Sequence, residues 1–153
     1  MAKRSGRAPA SAAETAGVRY IESSAVVAAL LERDAEALKS IRARGRKVTS
    51  VLTIAETGRA ILRARAAARL TAEQERGVVR ALQRFERRCY VVGVTDAVLA
   101  RVRRPFPVEP IRTLDAVHLA TTELLEEPPP LVTIVTRDAR VSENAKALGY
   151  AVE

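Results

Sequence analysis

The chain lacks the residues on which several familiar kinds of chemistry depend. It has one cysteine, Cys89, one histidine, His118, and no tryptophan. One cysteine excludes an internal disulfide and any cysteine-based zinc site. One histidine excludes an ordinary multi-histidine zinc centre and leaves a two-histidine ribonuclease mechanism without its second group. Aromatic residues make up 3% of the sequence. The core must therefore be built from Ala, Val, Leu and Ile, and base stacking has little to work with. No apolar run approaches the ~20 residues needed to span a bilayer, and the N-terminus lacks the apolar stretch of a secretory signal. The expected setting is cytoplasmic, with no membrane partner. There is no Walker-type phosphate loop and no dinucleotide-binding glycine fingerprint. Ser23 and Ser24 lack the flanking glycines of a nucleophile elbow.

The sequence does contain enough material for one domain. Its 153 residues fit a single unit that buries roughly 70% of its unfolded surface. Apolar residues are 48% and charged residues 29%, an ordinary soluble balance. The net charge is +8, from 26 Lys and Arg against 18 Asp and Glu. That excess favours a polyanionic partner such as nucleic acid, or an acidic protein. An Arg- and Ala-rich composition is also what a GC-rich genome produces.

Residues 1–17 show no hydrophobic periodicity and read as a disordered basic, Ala-rich tail. Val18–Ile21 reads as a short buried strand, followed by a helix capped by Ser23 or Ser24. A second helix over 35–44 stops at Gly45, and 47–49 is a short strand. Residues 52–68 form a strong helix. Thr71 caps the next one, which carries Glu73 and Glu75 in its first turn. Val78, Val79, Leu82 and Phe85 share one face of that helix and Arg76, Arg80, Arg84 and Arg87 the other, a solvated stripe or an RNA track. Residues 89–94 read as a buried strand, with Thr95 or Asp96 capping a short helix. Pro105, Pro107 and Pro110 enforce a loop. Thr113 caps a helix over 114–125, Leu131–Val135 is the clearest strand, and Asp138 precedes a helix that reaches Ala147. Gly149 and a short strand over 150–152 follow. Strands alternating with helices predict an α/β fold, with a parallel or mostly parallel sheet covered on both faces.

Four acidic residues hold the candidate chemistry: Glu22 after the first strand, Glu56 in TIAETG, Asp115 in TLDAVHLA and Asp138 in TIVTRD. In open α/β sheets, sites form outside the carboxyl ends of strands, where Glu22 and Asp138 fall. Carboxylates gathered in one place repel one another, so such a cluster calls for a cation. Hard oxygen ligands suit Mg²⁺ or Mn²⁺. Asp115 can equally be a first-turn residue that stabilises its helix through the dipole. Glu56 can be a solvated helical glutamate. His118 lies three residues after Asp115, on nearly the same helical face, where it either faces a phosphate or packs beside the helix. Arg112 is placed to contact phosphate. Thr136 is placed to bind phosphate or a ligand, and Ser24 to support the site.

The segments YIESSAVVAALL, LDAVHLATTELL and VTRDARVSENAKALGYAV, in that order, resemble PIN-domain proteins, specifically VapC-type toxins of type II toxin–antitoxin pairs. The resemblance runs from about Val18 to Val152. It implies a PIN-like three-layer α/β/α sandwich with a mostly parallel central sheet, the PIN domain occupying residues 18–153. It further implies a Mg²⁺- or Mn²⁺-dependent endoribonuclease leaving 5′-phosphates, a homodimer, and a cognate antitoxin that plugs the site. Glu22, Glu56, Asp115 and Asp138 match the four acidic positions of the family, as catalytic residues and metal ligands. The first position is commonly aspartate, and here it is Glu22. That departure leaves open a catalytically weakened PIN-like module that binds RNA or a partner without cutting. An unrelated α/β scaffold, with all four acids at the surface, is the third reading.

Overall fold

The computed structural model describes residues 17–153. β1 (Val18–Ile21) is buried at every position because it forms the middle of a five-stranded sheet of order β3-β2-β1-β4-β5. The partners are β2 (Arg46–Ser50), β3 (Tyr90–Val92), β4 (Val132–Val135) and β5 (Ala151–Val152). Every pairing is parallel, as the alternation of strand and helix patterns requires.

Side chains alternate across β1, and each face of the sheet has its own apolar layer. Val18 and Tyr20 pack with Val117, Leu119 and Ala120 of α6 (Thr113–Glu123), with α5 (Asp96–Val102) and with α7 (Ala139–Ala147). Ile21 and Val135 pack on the other side against α1 (Ser23–Leu30), α2 (Ala35–Arg42), α3 (Val51–Ala66) and α4 (Ala72–Glu86). The result is a three-layer α/β/α sandwich.

Several sequence expectations shift in position or environment. The segment expected as a buried strand over 89–94 shortens to β3, a sheet edge, with Tyr90 67% exposed. An edge strand has a neighbour on one side only, and here that neighbour is β2 alone. Glu22, not Ser23 or Ser24, occupies the cap of α1, its carboxylate accepting the Ser24 N–H. Arg112 takes the cap position of α6 and makes no side-chain cap bond, while Thr113 lies inside the helix. Leu131 belongs to a 3₁₀ turn and is exposed. Thr71 caps α4 as expected, in a reciprocal capping box with Gln74. The expected tail lies outside the described residues except for Gly17, whose carbonyl accepts the Arg46 N–H at 3.1 Å.

Two tethers hold the segments that lead to candidate site residues. Buried Asn144 on α7 accepts from the Val108 N–H at 2.9 Å and donates to the Val108 carbonyl at 2.9 Å. This pins the proline-rich loop that leads into α6. Arg19, 7% exposed, holds Glu153 through bonds of 3.2 and 2.6 Å and also reaches the Ser40 carbonyl at 2.8 Å. The Glu153 backbone pairs with Ile134 and Thr136, so the clasp steadies the end of β4. Among the described residues, no helix is long and apolar enough to cross a membrane.

Candidate active site

The chain leaves β1 towards β2 and β3 on one side, then crosses back to β4 and β5 on the other. The connections therefore diverge between β1 and β4, and a crevice opens at the carboxyl ends of these strands. Glu22 stands at that point, its N–H donating to the Val135 carbonyl at 3.0 Å.

The Glu22 carboxylate is 3% exposed at the residue level and is surrounded by donors. Oε1 accepts the Ser23 hydroxyl at 2.6 Å and the Ser24 N–H at 3.1 Å. Oε2 accepts the hydroxyls of Ser24 and of Thr136, the latter at 2.8 Å. The side chain caps α1 through Oε1 while Oε2 meets the Thr136 hydroxyl of the neighbouring strand end. Four donors make burial of this group tolerable.

Glu56, on the second turn of α3, reaches the same place. Its Oε2 lies 2.7 Å from His118 Nε2, and the other ring nitrogen of His118, Nδ1, is 2.9 Å from the Tyr20 hydroxyl. Nε2 also lies 3.7 Å from Glu22 Oε1. Burial works against ionisation of Glu56, but the bonds from His118 and Ser23, with the charges of His118 and Arg63, bring its carboxyl below the usual range. Ligand atoms of Glu22, Glu56 and His118 all lie within 4.8 Å of one another.

Asp115 and Asp138 fall outside that tight group but act on it. Asp138 caps α7, its Oδ1 accepting the N–H groups of Arg140 at 2.8 Å and Val141 at 3.0 Å. Thr136 Oγ1 accepts the Asp138 N–H at 3.0 Å, so one hydroxyl links Asp138 to Glu22. Asp115, in the first turn of α6, has a raised pKa. Burial is the main cause, followed by the negative charges of Asp138 and Glu22, partly offset by Arg112 and His118. Its Oδ2 is buried with no hydrogen-bond partner.

An orphaned carboxylate oxygen on a residue that feels the charges of two further carboxylates has a physical remedy, which is a cation. A divalent ion would satisfy Oδ2 and cancel the repulsion that raises the Asp115 pKa. The oxygen-dominated donor set fits Mg²⁺ or Mn²⁺ better than zinc.

The other residues expected at the site are distributed as follows. Ser24 and Thr136 are engaged with Glu22 and with each other, at 3.1 Å between their hydroxyls. Ser24 Oγ also accepts the Arg137 N–H at 2.7 Å. Arg112 is exposed at the entrance of α6. His118 is 1% exposed, enclosed between Tyr20 and Glu56 and not open to solvent. Tyr20 escaped the sequence reading. Strand alternation was the available signal, since Tyr20 and Glu22 lie two residues apart and so share a face.

The PIN-domain family profile matches residues 19–147. The chain belongs to the PIN-domain family. Within it, the chain is of the VapC type. Ribonuclease VapC35 of Mycobacterium tuberculosis is 37% identical over 137 residues, covering 87% of this chain and 93% of that protein. Ribonuclease VapC46 of the same organism is 36% identical over 135 residues, covering 87% and 94%. Among solved structures, VapBC-1 from nontypeable Haemophilus influenzae superposes with a TM-score of 0.56 at 14% identity, over 89% of this chain and 96% of that one. VapBC2 from Rickettsia felis, bound to a DNA fragment from its promoter, superposes at 0.60 and 12% identity, over 89% and 97%. At such identities the structures speak to the fold, which they share with this chain.

Proposed function

We propose that this chain is the toxin of a type II toxin–antitoxin pair, a cytoplasmic endoribonuclease that hydrolyses RNA phosphodiester bonds with Mg²⁺ or Mn²⁺. The observation that carries the reading is Asp115, with its unpartnered buried oxygen and its pKa raised by burial, Asp138 and Glu22. The kinship with VapC ribonucleases does not favour the non-cutting alternative.

Asp115 and Glu22 would hold the ion, with Asp138 and Glu56 completing the set directly or through water. Once bound, the ion would make a water acidic enough to attack at neutral pH and would offset charge building on the phosphate. Glu56, kept ionised by its neighbours, or Asp138 would orient that water and accept its proton. Arg112, exposed beside Asp115, would meet substrate phosphate. Ser24 and Thr136 hold Glu22 and Asp138 in register. The other substrate side is left to groove shape, since few aromatics are present to stack bases.

The partner is a cognate antitoxin, and the toxin is a homodimer. A groove of about 140 Å³ between α1, α2 and α4 has an apolar floor, including Leu30, Ile41 and Phe85, and a rim of Arg42, Lys47, Arg84 and Arg88. That surface suits an apolar segment flanked by acidic residues.

The test is cleavage of a mixed RNA pool by purified protein with Mn²⁺, beside Asp115→Asn, followed by mapping of the ends. New 5′-phosphate ends made only by the parent support the reading. Equal absence of cleavage in both proteins would return it to a binding module.

A further inference from the structure

We propose that Tyr20 and His118 are positioning residues that aim Glu56 at the acidic cluster through a buried hydrogen-bond chain. The proposal rests on the nuclease reading of this site and deepens it, adding two residues that act through Glu56.

Tyr20 is 0% and His118 1% exposed. The Tyr20 hydroxyl meets His118 Nδ1 at 2.9 Å, and Nε2 meets Glu56 Oε2 at 2.7 Å. The two rings also touch edge to face, with centroids 6.1 Å apart and planes at 64°. The imidazole is therefore held at both nitrogens and along one edge, and it cannot swing without breaking a buried bond. The two ends of the chain differ in kind. Tyr20 is a core residue of β1, fixed by the sheet. The Glu56 side chain is 26% exposed, on a helix that begins at the end of β2.

The direction of the bonds follows from Glu56: a carboxylate only accepts, so Nε2 must bring the hydrogen, and the neutral ring is left to accept from the Tyr20 hydroxyl. Nδ1 then accepts, Nε2 carries the hydrogen, and that N–H donates to Glu56. A histidine oriented by one neighbour and serving another through its second nitrogen is the ordinary way a site fixes the direction of a functional group. Here it fixes Oε2 of Glu56, and with it the plane of the carboxylate. A histidine needed only for packing would have its Nε2 satisfied equally well by a backbone carbonyl. This one instead spends that bond on one of the four family acids.

The single histidine makes the test direct, because ¹⁵N NMR of untagged protein reports one imidazole. At pH 8 the expected pattern is a proton on Nε2 with Nδ1 accepting, and Tyr20→Phe mixes the tautomers. Mn²⁺ affinity, read by electron paramagnetic resonance, and kcat both fall by about 10–100-fold in His118→Leu. KM for RNA changes little. His118→Gln, which can offer an amide N–H in place of Nε2–H, recovers most of both losses. Thermal melting checks that each variant folds. If His118→Leu does not fold, Tyr20→Phe, which removes one atom, carries the test through tautomer and Mn²⁺ affinity. A proton on Nδ1 in the parent overturns the proposal. So do folded Tyr20→Phe and His118→Leu proteins with parental Mn²⁺ affinity. Failure of the nuclease reading looks different: no cleavage by the parent or by Asp115→Asn, with the tautomer and Mn²⁺ results still deciding the positioning role.

Discussion

An aspartate pressed by burial and by two neighbouring carboxylates takes up a proton more readily in the folded chain than in the unfolded one. For Asp115 the folded pKa is raised. Its favourable contribution is thus present below the ordinary aspartate range and is lost as pH rises through the raised value. Asp115→Asn, which cannot ionise, should therefore melt above the parent at pH 7 in chelator. The gap should close as pH falls below ~4, where the carboxyl is protonated in both states. Mn²⁺ should raise the parent melting temperature more than that of the variant. An Asp115→Asn protein that melts no higher than the parent in chelator at pH 7 would remove the electrostatic argument for a cation. Glu56 has the opposite sign, being favoured in its ionised form. Glu56→Gln should leave the fold intact and lower cleavage by about 10²–10⁴-fold, the usual worth of a positioned base, measured by initial rates at saturating RNA.

At the scale of elements, two of the candidate acids are also helix caps. Glu22 caps α1 and Asp138 caps α7, so removing either mixes a structural loss with a chemical one. Asparagine is as good a cap as aspartate. Asp138→Asn should thus keep its stability within a few tenths of a kcal/mol while losing cleavage. Asp138→Ala should lose cleavage and also about 0.5–2 kcal/mol in urea unfolding. Equal stability of the two variants would show that the cap bonds to Arg140 and Val141 contribute nothing. Glu22→Ala strips the acceptor from three hydroxyls and one N–H. Each buried group left unpaired costs about 1–3 kcal/mol. That variant should be the least stable of the acid set, and a melting temperature near the parent would contradict it.

For the whole molecule, a net charge of +8 is spread over surfaces with different tasks. The arginine stripe of α4 divides between solvent and the rim of the apolar groove, where Arg84 stands beside Arg88 from the turn after the helix. Charge reversal of both, Arg84→Glu with Arg88→Glu, should weaken antitoxin binding, by ~1 kcal/mol or less for each exposed charge, more at low salt. RNA cleavage by the free toxin should persist. Calorimetry at two salt concentrations checks the first outcome and initial rates the second. Loss of cleavage with unchanged antitoxin binding would instead make this surface an RNA track.

The sequence by itself determined the alternation of elements and the strand ends at which Glu22 and Asp138 fall, because periodicity, caps and proline breaks are local properties of the chain. It also carried the family, through three ordered segments. Only the tertiary structure decided which groups meet. Tyr20, Glu56 and His118 come from β1, α3 and α6, and no local rule couples residues so far apart in sequence. The same holds for the Glu22 cap, where reach across the crevice to Thr136 mattered, and for β3, whose exposure depends on its place at the sheet edge. Hydrogen bonds and charge interactions depend on distance in space, and the packing of helices on a parallel sheet supplies that distance.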